Sequence, residues 1–220
     1  SANFSPDGRR VVTGSKDGSA RIWDRASGNM LHLLTGHGST VWSAIFSPNG
    51  ERVLTVSADG TARLWDAATG TQIFVSATQP AGILSASFNG EGSLLATAGD
   101  DGVAQLWDAQ TGESRLKLVG HIGSICSVAF NASATRLLTA GDDGTVRVWD
   151  VASGKELLRL IGHTEAVHSA RFSPDGKRIV SASEDLSVRT WANDAETLLA
   201  LAQSRIQRQP AEFSAEEKQR

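Results

Sequence analysis

The chain is poor in sulfur and has no tyrosine. Cys126 is its one cysteine and Met30 its one methionine among 220 residues. A lone cysteine cannot build an internal disulfide framework, so packing must hold the fold, and a reducing, cytoplasmic setting is expected. Neither sign of charge dominates: 21 Lys and Arg stand against 24 Asp and Glu, a net charge of −3. That balance exerts no global pull on nucleic acid or on an anionic membrane. No apolar run approaches the roughly 20 residues of a membrane span, and no charged-then-apolar leader opens the chain. The opening SANFSPDG reads as the middle of something longer. The composition itself, 40% hydrophobic and 20% charged, is that of a packed fold and not of a disordered one.

What the sequence does have is a repeat. Trp23, Trp65, Trp107, Trp149 and Trp191 are spaced 42 residues apart. Six residues before each stand Asp17, Asp59, Asp101, Asp143 and Asp185, and ten before stand Thr13, Thr55, Thr97, Thr139 and Ser181. A Gly-His pair recurs at Gly36-His37, Gly120-His121 and Gly162-His163, with Thr78-Gln79 at the corresponding place between them. Each unit reads as four short β-rich runs, here a to d, separated by turn residues. In residues 120–161 these are SICSVAF, RLLTAG, TVRVWD and ELLRLI. Asp-Gly and Asn-Gly steps supply tight turns, because Gly tolerates positive φ and Asp or Asn bonds its own backbone.

Gly-His, then Ser or Thr, then Asp-Gly, then Trp-Asp, five times in register, resembles the WD-repeat family of β-propellers. The resemblance covers residues 1 to about 192. It implies an all-β propeller of five four-stranded blades, approximately 1–35, 36–77, 78–119, 120–161 and 162–192, the first and last incomplete. A helical tail is expected over 193–220. The ring is left open or closed by the sequence. The resemblance also implies a buried hydrogen-bonded chain within each blade: His37–Thr55–Asp59–Trp65, Thr97–Asp101–Trp107 where Gln79 has displaced the His, His121–Thr139–Asp143–Trp149, and His163–Ser181–Asp185–Trp191. The chemistry is sensible on its own terms, since a buried indole N–H needs an acceptor and a hydroxyl can accept and donate at once. A His and an Asp at a repeated register could be general acid–base partners, but a copy in nearly every unit argues for architecture. Asp101 is expected to lack its partner.

The position before that aspartate varies: Lys16, Ala58, Asp100, Asp142 and Glu184. The family likeness places it in the b–c turn, on the face where partners usually bind. Trp42, Leu84, Cys126 and His168, near the start of strand a, vary on the same side. Together they form a candidate partner-binding face with an acidic arc of Asp100, Asp142 and Glu184, suited to a basic or amphipathic protein segment. The competing reading is a solvated charged rim. An exposed Trp is a good anchor for such a surface.

Other chemistries fit poorly. The GDDG turn lacks the alternating ligands and distant Glu of an EF-hand, and one Cys with five His at no ligand spacing does not make a zinc site. Cys126 reads as a small apolar residue and not a nucleophile. Arg21, Arg63, Arg147 and Arg189 recur two residues before Trp, too sparsely for a phosphate track; salt bridges within or between blades are their expected use. No phosphate-cradling Gly loop or serine elbow is present. No catalytic residue, metal or cofactor is therefore expected, and no nucleic-acid or membrane partner.

After Trp191, apolar residues at 195, 198, 199, 202 and 206 have a helical period, and Asn193 with Glu196 reads as a helix start. This tail is similar to the ends of bacterial WD-repeat proteins. The expected function is a non-catalytic protein–protein interaction scaffold. The alternative is a sensor or regulatory arm of a larger signalling protein with a kinase, caspase-like or nucleotide-switch module upstream. An arc left open would favour self-association through unpaired edges.

Overall fold

A computed structural model describes residues 1–193. The expected helix over 193–220 lies almost entirely outside the described residues. Within them the chain is all β: nineteen strands in five antiparallel sheets, each a meander in sequence order. The first sheet holds β1 (Ala2–Phe4), β2 (Arg10–Gly14), β3 (Ala20–Asp24) and β4 (Met30–Leu34); the second β5 (Val41–Phe46), β6 (Arg52–Ser57), β7 (Ala62–Asp66) and β8 (Gln72–Val75). The third holds β9 (Ile83–Phe88), β10 (Leu94–Gly99), β11 (Val103–Asp108) and β12 (Ser114–Val119); the fourth β13 (Ile125–Phe130), β14 (Arg136–Gly141), β15 (Val146–Asp150) and β16 (Glu156–Leu160). The fifth holds β17 (Val167–Phe172), β18 (Arg178–Ser183) and β19 (Val188–Ala192), with no fourth strand among the described residues. One expectation is corrected. The first blade is four-stranded, because the three residues Ala2–Phe4 are enough to pair with Val11–Thr13.

The a strands β1, β5, β9, β13 and β17 pack in succession against one another. The core lies between sheets, where the apolar face of one meets that of the next. Leu54, Val56, Ala62 and Leu64 of the second sheet pack against Ile83, Leu95 and Trp107 of the third. Ala96, Ala98, Ala104 and Leu106 of the third meet Ile125, Val128, Leu137 and Trp149 of the fourth. Alternation along β6, β10 and β14 is blurred because both faces are covered by neighbouring blades, giving nearly continuous buried runs.

An antiparallel meander sorts its turns onto two edges. The a–b and c–d turns share one, and the b–c turns share the other with the connections between blades. The tight b–c turn needs a left-handed residue, supplied by Gly18, Gly60, Gly102 and Gly144 at φ of 79, 77, 70 and 70°. A side chain there would collide with the next blade: a Cβ on Gly60 would stand 2.5 Å from the Gln79 carbonyl oxygen. In the fifth blade Leu186 takes this position at φ 62° and is 98% exposed.

Candidate functional site

The tryptophans anchor the scaffold. Trp23, Trp65, Trp107 and Trp149 each donate their indole N–H to the Thr ten residues earlier at 2.8–2.9 Å, and Trp191 donates to Ser181 Oγ at 2.8 Å. The same hydroxyls meet the His rings: His37 Nε2 lies 2.8 Å from Thr55 Oγ1, His121 Nε2 2.8 Å from Thr139 Oγ1, and His163 Nε2 2.8 Å from Ser181 Oγ. The other ring nitrogen of each faces a carboxylate, at 3.0 Å to Asp59, 3.0 Å to Asp143 and 2.7 Å to Asp185. One proton assignment satisfies the whole chain. Indole N–H donates to the hydroxyl, the hydroxyl donates to Nε2, and Nδ1–H donates to the carboxylate.

Burial pushes the His37 and His121 imidazoles below their usual value despite the facing carboxylates, so the neutral ring that this chain requires is also the favoured one. Burial also pushes the Asp59 carboxyl up, but hydrogen bonds from Thr61, the Gly38 N–H and His37 outweigh it and hold the group at about 2. Asp143 is likewise held well below the usual carboxylate range against its own burial by Thr145 and His121. Arg147, buried, ties Asp143 to Glu156 at 3.0 and 2.9 Å. Each His–Asp pair is thus part of a hydrogen-bonded chain that stays inside its own blade.

The third blade keeps the Trp107–Thr97 bond but departs around the His and the Asp. Gln79 is buried and donates Nε2–H to Thr97 Oγ1 at 2.8 Å, reproducing one end of the His. It does not bond Asp101. The backbone N–H that bonds the aspartate in other blades, from Gly38, Ile122 and Thr164, is missing because the residue is Pro80. The hydroxyl supplied by Thr61, Thr145 and Ser187 is replaced by Val103, and Gln105 stands where Arg147 bonds Asp143. Asp101 keeps the N–H of Val103 at 3.0 Å and is exposed, while Asp59, Asp143 and Asp185 are half-buried.

The varying positions are gathered at the opposite end of the same turns. Strand a carries a β-bulge in each of blades two to five. The pairing skips from Val41 to Ser43, from Ile83 to Ser85, from Ile125 to Ser127 and from Val167 to Ser169. The residues left out of the ladder are Trp42, Leu84, Cys126 and His168. A bulge releases one side chain from the sheet's alternation and re-aims it. Two of the bulged residues reach the b–c turn residue 16 positions on. Cys126 Sγ donates to Asp142 Oδ1 at 3.4 Å, and His168 Nε2 lies 2.9 Å from Glu184 Oε1. The backbone fixes this arrangement: the N–H groups of Ala58, Asp100, Asp142 and Glu184 donate to Thr40, Gly82, Ser124 and Ala166 at 2.9–3.0 Å.

Trp42 is 46% exposed, and Lys16, Asp100, Asp142, His168 and Glu184 are exposed; Ala58, Leu84 and Cys126 are half-buried. Leu84 gives Asp100 no donor, so this carboxylate lacks the tether that Cys126 and His168 give their partners. Burial raises the Cys126 thiol to about 12, aided by the hydrogen bond to Asp142 and by the charges of Asp142, Asp100 and Glu184. These charges and the burial favour the neutral thiol. Among the described residues no group of three or more His, Cys, Asp or Glu side chains is gathered as a metal site would require.

Comparison with known proteins agrees with this geometry. The family model for the WD domain, G-beta repeat, matches residues 1–24, 28–66, 70–108, 112–150 and 154–192. The chain belongs to the WD40 repeat family. A segment of 39 residues is 54% identical to human (Homo sapiens) WD repeat-containing protein 86, covering 18% of this chain and 10% of that protein. WD40 propellers are generally non-catalytic, and WD40 repeats suggest a protein-interaction scaffold.

Both residue sets were named from the sequence, but two things were missed. The bulges were hidden, because a one-residue slip leaves no compositional trace. The isolation of Asp101 was half seen in Gln79; Pro80 and Val103 carried the rest of the signal.

Proposed function

We propose that this WD40 chain is a non-catalytic scaffold that binds a basic or amphipathic protein segment through the edge formed by its b–c turns and strand-a bulges. The observation that carries the reading is the recurrence of the bulge at Trp42, Leu84, Cys126 and His168. A scaffold position repeats its residue; here the backbone device repeats and the side chain changes. Lys16 and Ala58 open the edge, the exposed Trp42 offers an apolar anchor, and Asp100, Asp142 and Glu184 supply charge that can steer and orient a cationic partner.

The test is a fluorescence-anisotropy titration with a labelled peptide that alternates Lys or Arg with Leu. The double substitution Asp100→Lys with Asp142→Lys is expected to weaken binding by about tenfold or more, roughly 1.4 kcal/mol, and to remove its sensitivity to salt. Both residues are exposed, so the unfolding temperature should hold. Unchanged affinity in a folded double variant would contradict the proposal.

A further inference from the structure

At three of the four junctions between consecutive blades, an arginine that opens strand b reaches across to the next blade. Arg10 Nη1 donates to the Ala67 carbonyl at 2.9 Å, Arg52 Nη1 to Ala109 at 3.0 Å and Arg136 Nη1 to Asn193 at 3.0 Å. Arg10 also donates Nη2–H to the Gly50 carbonyl at 2.6 Å, so one guanidinium forks onto two carbonyls. All three arginines are half-buried. The remaining junction, between the third and fourth blades, has Leu94 in this place. Leu94 pairs with Asp108 as Arg10 pairs with Asp24, so the register is kept and the side chain has changed.

A leucine covers the apolar part of the arginine's path and carries no donor. At this junction lies a cavity of about 510 Å³ with Leu94, Leu106, Leu116 and Val151 as its apolar wall. Its register supplies acceptors. Val151 stands where Ala67, Ala109 and Asn193 accept, and Ala134 where Gly50 accepts. Both line the cavity, and among the described residues nothing donates to either carbonyl. Ala134 leaves room for a guanidinium, since a Cβ on Gly50 would stand 3.6 Å from Arg10 Nη2, an ordinary contact. The Asp150 carboxylate lines the same cavity and is kept ionised by hydrogen bonds from Ser153. The Arg115 guanidinium is there too, but it is committed to Asp108.

We propose that this cavity takes the arginine side chain of a partner protein segment, which docks on the a–b and c–d turn edge between the third and fourth blades. The methylenes of that side chain would lie against Leu94 and Leu116, and its guanidinium would donate to the Val151 and Ala134 carbonyls beside the Asp150 carboxylate. Arginine is the occupant because the other three junctions place one between the same two elements. A lysine offers a point charge and no planar fork for two acceptors. Donors that carry charge also make the stronger hydrogen bonds. The site stands on the edge opposite the b–c turns, so it does not rest on the function proposed above.

Amide chemical-shift mapping on the 220-residue chain with n-butylguanidinium, which matches an arginine side chain as far as Cα, tests this. Shifts are expected at Ala134, Thr135, Val151 and Ala152, and n-butylammonium should bind about tenfold more weakly. Leu94→Arg restores the internal clamp, so it should weaken probe binding by about tenfold or more while the unfolding temperature holds or rises. Asp150→Asn keeps the Oδ1 that Ser153 bonds and should weaken the probe severalfold without refilling the cavity. A short peptide with one arginine between alanines should move the same amides, and its lysine counterpart should not. Asp100→Lys with Asp142→Lys should leave all of these shifts in place. A wild type whose amides at this cavity do not respond, an equal response to the ammonium probe, or undiminished binding in folded Leu94→Arg would each overturn the proposal. A probe that binds where the arginine peptide does not would overturn the protein partner.

Discussion

His37 and His121 make the blades sensitive to acid. In the unfolded chain a histidine takes up a proton as pH falls through about 6.5; in the fold, burial holds both rings below that value. Over that window the unfolded state binds more protons, so stability falls with acidification. Asp59 adds a second loss at lower pH. Its contribution is complete above the ordinary carboxyl value of 3.8 and disappears as pH falls through about 2. The unfolding temperature is therefore expected to drop as pH is lowered from about 7 toward about 5. The pair His37→Gln and His121→Gln should flatten that slope while costing roughly 1–3 kcal/mol at each site from the weakened carboxylate network. Gln79 shows that a glutamine can keep the hydroxyl bond. An unfolding temperature that is flat or rises on acidification would contradict the neutral assignment. The chain Trp–Thr–His–Asp was legible in the sequence because its spacing is fixed. The fate of Asp101 was not, since it depends on which backbone N–H and which hydroxyl converge on that carboxylate.

Among the elements, the strands were legible from short β-rich runs between Asp-Gly and Asn-Gly turns. The four-stranded first sheet was not, because a strand of three residues, Ala2–Phe4, has too little alternation to register. The bulges escaped for a related reason: only backbone pairing reveals that Cys126 stands outside the ladder. The fifth b–c turn carries its own consequence. Leu186 adopts a left-handed conformation that costs an L-residue roughly 1–2 kcal/mol, and its side chain is 98% exposed, so it recovers almost nothing by burial. Leu186→Gly relieves that strain but adds unfolded-state entropy. The expected net result is stabilisation by up to about 1 kcal/mol, read from the denaturant midpoint at unchanged slope. Destabilisation by Leu186→Gly would mean that the Leu186 side chain is covered.

In the whole molecule, the repeat divides the labour. The Trp-to-hydroxyl bond recurs in all five blades, the His–Asp pair in three, and apolar junctions link each blade to the next. Variation also marks the edge where bulge and turn meet, which carries the exposed Trp42, Asp100, Asp142 and Glu184. Composition, with a net charge of −3, showed no global pull on a polyanion, yet it could not show that the acidic turn residues come from neighbouring blades. That adjacency follows from the packing of β9, β13 and β17 side by side. The measurement that tests the central claim most directly is hydrogen–deuterium exchange with and without the basic amphipathic peptide. Protection is expected in the b–c turns around 99–102, 141–144 and 183–186, with the a–b turns near 48–50 and 174–176 unchanged. Protection concentrated in those a–b turns, with the b–c turns unaffected, would place binding on the other edge and contradict the account.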